Sequence, residues 1–459
     1  MSAFTNLFNK VIRNPLLLQS LLSLIARFTG VALNFAVILL ITNQLSKSGA
    51  GDLMLLMTFI TGVALISRLG IDQLLMKEVA SSHQDNLSFK NDFLKVSYKA
   101  VFALSLIFMT VWVIATPYLQ RSFFHNGIQS TVSINELIVA SLGILSFNLV
   151  ILNSTYLKAI RKTMLGVLGQ NALTAITFLF LILAFWNYFT NNQYTLYLYT
   201  ASIVMAGLLS ALFTYSFTSK QKILISRSSN NFNDVIPGLK QVLKKSIPLA
   251  PISIISYLMI FTDSIMVGWF LPNEQVAEYS VASRISYVIL FFLQAMEATI
   301  YPRLLNMFKH AKATLRAFFW QSTALVVMVV LSVTGIMYLL SDWILLAFGN
   351  EYTVARHALG LLLLAQLFRA ASITFSFMFI IREKVKYLNM ILVTAFVVNV
   401  ICNLVFIQLY GIEGAALATL IANLTLLVLV LTLFYLQKLL ISPANDNKPA
   451  RINIKDTQA

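Results

Sequence analysis

The chain has 459 residues, of which 58% are hydrophobic and only 11% charged, with a mean hydropathy of +0.80. Soluble globular domains carry roughly 25% charged residues, so a soluble enzyme and a disordered chain are both excluded. A formal charge of +16 would point to nucleic acid in a soluble protein. In a chain this apolar it points to basic loops on the cytoplasmic side of a membrane, so membrane lipids are expected as partners and nucleic acid is not. One Cys excludes a disulfide framework and a Cys-based metal site. The four scattered His (His83, His125, His310, His357) form no ligand cluster, and no metal or cofactor is expected.

In chain order, stretches of about 20 mostly apolar residues, the length that crosses a bilayer as a helix, predict twelve spans. They lie near 16–42, 53–76, 96–118, 134–157, 163–186, 195–217, 246–270, 279–302, 316–340, 355–381, 387–409 and 414–437. The alternation of a membrane β-barrel is absent. The first span follows Lys10 and Arg13 but contains Arg27 and lacks a small-residue cleavage site, so it reads as a retained helix rather than a signal peptide. Before it, Phe4, Leu7, Phe8, Val11 and Ile12 form the apolar stripe of a short helix lying on the membrane surface. The longest internal loop, 218–245, leaves no room for a catalytic domain. No Walker, GxGxxG or HExxH pattern occurs, and no catalytic residue is assigned. That loop carries Ile236, Leu239, Val242 and Leu243 among Lys240, Lys244 and Lys245, an amphipathic basic stretch expected to rest on the membrane surface. The tail from Pro443 is polar.

With the N-terminus placed in the cytoplasm, 26 of the 33 Lys and Arg fall in cytoplasmic segments. Three (Lys47, Arg121, Arg356) fall outside, and four (Arg27, Arg68, Arg284, Arg369) fall within spans. This asymmetry sets the orientation, with both termini cytoplasmic. A shift of 226 residues lays Leu45–Leu53 over Leu271–Tyr279, two short outside turns. The basic turn Ile160-Arg161-Lys162 corresponds to Ile381-Arg382-Glu383 at a slightly different offset. These matches predict a duplicated all-α polytopic fold with two parallel six-helix halves. The halves are 1–217 and 246–437, joined by a cytoplasmic linker 218–245 and followed by a tail 438–459.

A charge at the bilayer centre costs roughly 2.5–3.5 kcal/mol on insertion scales and normally faces a bundle interior or a wet cavity. Arg27, with Asn34 and Ser20 seven residues away on its face, Arg284 and Arg369 are the candidate lining of such a cavity. Asp263 and Glu297 are candidates for ion coupling. Arg68 and Asp72, spaced i, i+4, read as a structural pair. Glu136 reads as a helix-start charge, and Pro248, Pro251 and Pro302 as helix starts or kinks. A guanidinium stays charged and forks onto phosphate oxygens, so an Arg-bearing cleft suits a lipid-linked anionic headgroup. A cavity for hydrophobic cations would favour carboxylates and aromatics.

Several local sequences carry a family resemblance: Pro248-Leu249-Ala250-Pro251, then Asp263-Ser264-Ile265-Met266-Val267-Gly268-Trp269-Phe270-Leu271. They continue with Val276-Ala277-Glu278-Tyr279-Ser280-Val281-Ala282-Ser283-Arg284, Tyr301-Pro302-Arg303-Leu304 and Gly411-Ile412-Glu413-Gly414-Ala415-Ala416. In this order and spacing the chain resembles the multidrug/oligosaccharidyl-lipid/polysaccharide exporter (MOP) superfamily, and within it the Wzx-type flippases of O-antigen and polysaccharide synthesis. The resemblance implies a V-shaped, MATE-like twelve-helix transporter of the bacterial cytoplasmic (inner) membrane. It would flip an undecaprenyl-diphosphate-linked oligosaccharide to the outer leaflet, in company with other polysaccharide-assembly proteins. Arg284 matches the alanine-x-arginine pattern shared with lipid II flippases, in which that arginine lines the cavity near the diphosphate. Arg27 resembles the cavity arginine of their first helix. The acidic residue that lipid II flippases carry three positions after that arginine is Tyr287 here, and twelve spans rather than fourteen are expected, so lipid II is not the expected substrate. Within the same fold the alternative is a MATE-type drug/cation antiporter, which Asp263 favours.

Overall fold

The structure is a computed structural model that describes residues 15–82, 87–126, 129–130, 132–189, 192–225, 238–310, 312–437 and 439. The surface helix expected at 4–12, most of the 218–245 loop and the tail lie outside the described residues. The helices run in the order α1 Pro15–Gln44, α2 Lys47–Ser67, α3 Ile71–Ser81, α4 Leu87–Phe123, α5 Ile134–Ala140, α6 Leu142–Ala159, α7 Thr163–Asn171, α8 Leu173–Ala184, α9 Trp186–Phe189 and α10 Asn192–Ile225. They continue with α11 Leu239–Ser246, α12 Ala250–Phe270, α13 Asn273–Ser286, α14 Val288–His310, α15 Lys312–Leu339, α16 Ser341–Phe348, α17 Arg356–Ile381 and α18 Val385–Leu436. The only strands among the described residues are the pairs His125–Asn126 and Gln129–Ser130, joined antiparallel.

The protein is all-α. Nine described helices are long and apolar enough to cross a membrane, or ten if the pair α7–α8, bent by 48°, is one span. Twelve separate crossings are not reproduced among the described residues. Helix α18 is 52 residues long and is divided by Gly411, whose backbone is non-helical at φ 58° and ψ −134°.

The chain forms two compact units, 1–286 with 339–362 and 400–419, and 287–338 with 363–399 and 420–459. In the first, α2 is the central helix, buried from Ala50 through Leu56. Its small residues allow backbone contact with α13: a Cβ added at Gly51 would overlap the carbonyl of Asn273. Membrane helices associate through such small residues because lipid supplies no hydrophobic drive between them. A second core joins Leu74, Leu75 and Val79 of α3, Phe93 of α4, Tyr156 of α6 and Val242 of α11. The basic helix α11 turns Val242 into this core and leaves Leu239 exposed, and Lys245 pairs with Glu78 at 3.3 Å. In the second unit, Phe434 of α18 stacks on Phe319 of α15 at 5.4 Å and meets Phe375 of α17 edge-on at 4.9 Å. Arg382 lies over the Phe308 ring, 4.7 Å from its centre. The outward surface is apolar, with Leu183, Tyr215, Leu339 and Trp343 exposed, as a lipid-facing surface requires.

The duplicated turns have one conformation. After α6, Arg161 has φ 65° and the amide of Lys162 donates to Leu157 O at 2.8 Å. After α17, Glu383 has φ 58° and the amide of Lys384 donates to Phe379 O at 2.8 Å. Both close their helix with a left-handed residue. The structural register pairs Arg161 with Glu383, one residue later than the sequence match with Arg382. A non-glycine residue in this region costs about 1–2 kcal/mol. Glu383→Gly is expected to raise the melting temperature in detergent. Gly51→Ala is expected to destabilise by about 1–3 kcal/mol through overpacking, seen as a lower melting temperature and less protein in the membrane.

Candidate functional site

Five of the eight residues singled out in sequence for binding, coupling or pairing sit in membrane-spanning helices of the first unit or at their ends: Arg27, Asn34, Arg68, Asp263 and Arg284. Asp72, on the short α3, belongs to the same unit, whereas Arg369 and Glu297 belong to the second.

Arg284 stands near the C-terminus of α13. The face around it is made of buried small residues, Ala277, Ser280, Val281, Ala282 and Ser283. These let α13 approach α2 closely around Arg284. Its side chain is half-buried, with Nη2 3.9 Å from the Met57 sulfur of α2, and Tyr199 of α10 lies within its electrostatic reach.

Arg27 is exposed on α1. Its helix face is clamped to α7 on both sides. Ser23 Oγ donates to Thr163 Oγ1 at 3.0 Å, and the Asn34 amide donates to Gly30 O and to Asn171 O, each at 2.7 Å. Gly30 is needed here, because a Cβ would lie 2.6 Å from that of Asn171. Asn34 therefore spends its amide hydrogens holding α1 on α7, which fixes where Arg27 emerges. Lys158 of α6 feels the Arg27 charge and donates to Gln170 Oε1 of α7 at 2.5 Å. A loop assignment on sequence concealed Lys158. Its position one residue before the end of α6 brings it beside the first helix.

Asp263, on α12, is 3% exposed. Its carboxylate accepts from Asn403 Nδ2 at 2.6 Å, from Tyr279 Oη at 3.1 Å and from Thr419 Oγ1. A carboxylate in a low-dielectric interior needs such donors. Here they come from α13 and from both arms of α18. The cluster gathers carboxylate, amide and hydroxyl oxygens, the donor chemistry that hard cations favour. Among the described residues no group of three or more His, Cys, Asp or Glu is placed to hold a metal ion.

Arg68 is 4% exposed. Its Nε lies 3.6 Å from Asp72 Oδ2, while its Nη1 donates to Asn148 Oδ1 at 2.8 Å. Asn148 in turn donates to Ser67 Oγ at 2.7 Å and to Ser105 Oγ at 2.9 Å. Asn148 was not singled out in sequence; an Asn in the middle of an apolar span was the available signal. Glu136 closes a capping box: Ser133 N donates to its Oε2 at 2.7 Å and its own N donates to Ser133 Oγ at 3.3 Å.

In the second unit, half-buried Arg369 of α17 lies within electrostatic reach of Tyr287 and of Glu297 on α14. Ser372 and Ser376 turn their hydroxyls onto carbonyls of their own helix, at 2.7 and 2.9 Å. Glu297 itself is exposed.

The fold is that of the MOP superfamily. A structure described as "Lipid II flippase MurJ, inward closed conformation" is 16% identical with a TM-score of 0.65, covering 92% of this chain and 89% of that one. An inward-facing multidrug resistance MATE family transporter of the MOP superfamily is 14% identical with a TM-score of 0.68, covering 90% and 98%. The "Probable low-salt glycan biosynthesis flippase Agl15" of Haloferax volcanii is 27% identical over 175 residues, 36% of either chain. The family described as "Polysaccharide biosynthesis protein" matches residues 17–308. The chain is therefore a multi-pass membrane protein that belongs to the polysaccharide biosynthesis protein family.

Proposed function

We propose that this protein flips a lipid-linked oligosaccharide, carried on undecaprenyl diphosphate, from the cytoplasmic to the outer leaflet of a bacterial inner membrane. In this reading the glycan is an O-antigen or other polysaccharide repeat unit, and both termini are cytoplasmic. The observation that carries it is Arg284, a permanently charged guanidinium held half-buried in a membrane helix whose neighbouring residues Ser280, Val281, Ala282 and Ser283 are small and buried. A charge at such depth normally faces a bundle interior or a wet cavity, and a diphosphate offers a guanidinium paired acceptor oxygens. Arg27, with Lys158 beside it, supplies a second cationic position in the same unit. Asn34 positions Arg27, and Arg369 adds a cation in the second unit. The lipid tail needs no polar site and stays in the bilayer. Two six-helix halves, 1–217 and 246–437, would alternate access, with 218–245 linking them and 438–459 as a tail. The matched turns at Arg161 and Glu383 support this plan.

Asp263 is the coupling residue in this reading. Its ring of oxygen-bearing neighbours suits a proton or a monovalent cation, and Glu297 is the second candidate. The same carboxylate supports the alternative of a drug/cation antiporter, which predicts that deletion changes sensitivity to cationic dyes and leaves surface glycan intact.

Arg284→Ala is expected to lower surface polysaccharide by about 10- to 100-fold, the equivalent of a lost charge-assisted contact of roughly 1.5–3 kcal/mol, with normal amounts of protein in the membrane. Unchanged glycan output from that variant would overturn the site. Asp263→Asn removes the negative charge and keeps the side chain's size. In liposomes loaded with lipid-linked oligosaccharide it should abolish the acceleration produced by an imposed sodium or proton gradient. Gradient-driven translocation at the parent rate would remove Asp263 from the coupling step.

A further inference from the structure

The sequence repeat and the contacts in the first unit meet at one place. At the start of α2, Lys47 forms an ion pair with Glu278 of α13, and its Nζ also lies 3.4 Å from Glu351 O. Five residues further along α2, Asp52 accepts a hydrogen bond from Asn273 Nδ2. The shift of 226 residues that aligns the two turns carries Lys47 onto Asn273 and Asp52 onto Glu278. The two contacts are therefore the same contact made twice, with the roles of the halves exchanged. That reciprocity is the mark of a two-fold interface, in which residue i meets j and j meets i. Between them Gly51 brings the α2 backbone against the Asn273 carbonyl. The polar groups are withdrawn from solvent: Asp52, Asn273 and Glu278 are 5%, 1% and 7% exposed.

A seam of this kind can close fully because it is small and self-complementary. It can also open, because its polar groups are the ones water would solvate on parting. Packing made only of apolar groups would have no such alternative partner. The lysine count puts this end of α2 on the outer face, where the flipped headgroup must leave.

We infer that the reciprocal pairs Lys47–Glu278 and Asp52–Asn273 form the outer latch of the transporter, closed in this structure and parted to release the glycan headgroup outside. The inference rests on the alternating-access reading given above, and it adds gating residues distinct from the arginines and Asp263. Only one of the two mirrored contacts is ionic, so the latch is weakened most by changing Lys47 or Glu278.

The test uses the full-length chain with Cys402→Ser and spin labels on cysteines at Gln44 and Gln275, reconstituted in liposomes and read by double electron–electron resonance. The parent should show one dominant short distance. Lys47→Glu, which sets like charges face to face, should add a longer-distance population, and Lys47→Glu with Glu278→Lys should return the short one. Surface glycan in cells should fall in the single variant and recover in the double. If Lys47→Glu does not reach the membrane, Lys47→Met carries the test, with a smaller shift in the same direction. A distance distribution unchanged by Lys47→Glu or Lys47→Met, or a double variant no better than the single, overturns the latch. Should distances respond while Arg284→Ala leaves surface glycan intact, the flippase reading fails and the latch stands. Should distances stay fixed while Arg284→Ala abolishes glycan, the reverse holds.

Discussion

A polar group inside hydrocarbon has no water to fall back on, so the protein must supply its partner. The interior of the first unit is organised by that requirement. Helix α6 shows it as a ladder. Asn148 serves Arg68, Ser67 and Ser105. One turn on, Asn153 accepts from Tyr98 and donates to Ser210 at 3.0 Å, and Tyr156 donates to Asn91 at 2.5 Å. These residues tie α2, α4 and α10 to one helix. Hydrogen bonds between membrane helices contribute only about 0.6–2 kcal/mol each. Their weight here is in register: an amide that must meet two partners admits few slid or rotated alternatives.

The same requirement separates the charges by task. Asp263 is answered on both oxygens by neutral donors, which leaves its negative charge uncancelled by those contacts. Arg68 is answered by a neutral amide and more distantly by a carboxylate. Arg284 lies against a soft thioether, a weak acceptor. Glu136, at a helix start, accepts from the local backbone, and Arg382, past a helix end, donates to Leu439 O and lies over the Phe308 ring.

Much of this was legible in the sequence because the bilayer enforces simple rules. Span length, loop charge and the intramembrane Arg and Asp residues all follow from one-dimensional patterns. The outside turns at 45–53 and 271–279 and the twin turns at Arg161 and Glu383 were visible as matched segments, although conformation moved the second match by one residue. What stayed hidden is long-range. The donors to Asp263 from α18 are 140 and 156 residues away in sequence, and no periodicity links them. Lys158 read as a loop charge because helix ends are fixed by packing rather than by hydropathy. The packing of Val242 of α11 against α3, α4 and α6 also stayed hidden, because an apolar stripe does not say which of its residues protein will cover.

The break at Gly411 has a bearing on Asp263 that distance along the chain conceals. Asn403 and Thr419 each lie eight residues from that glycine, one on either arm of α18. Two antiparallel arms of equal length, at about 1.5 Å per residue, bring their ends to one depth, roughly 12 Å below the bend. The turn therefore acts as a caliper whose jaws grip the carboxylate. Its width is set by Gly414, which allows the returning arm to lie against the Phe406 carbonyl. A residue inserted in this surface turn would offset one jaw from the other by a third of a helical turn, and would detune a buried acid that the turn never touches.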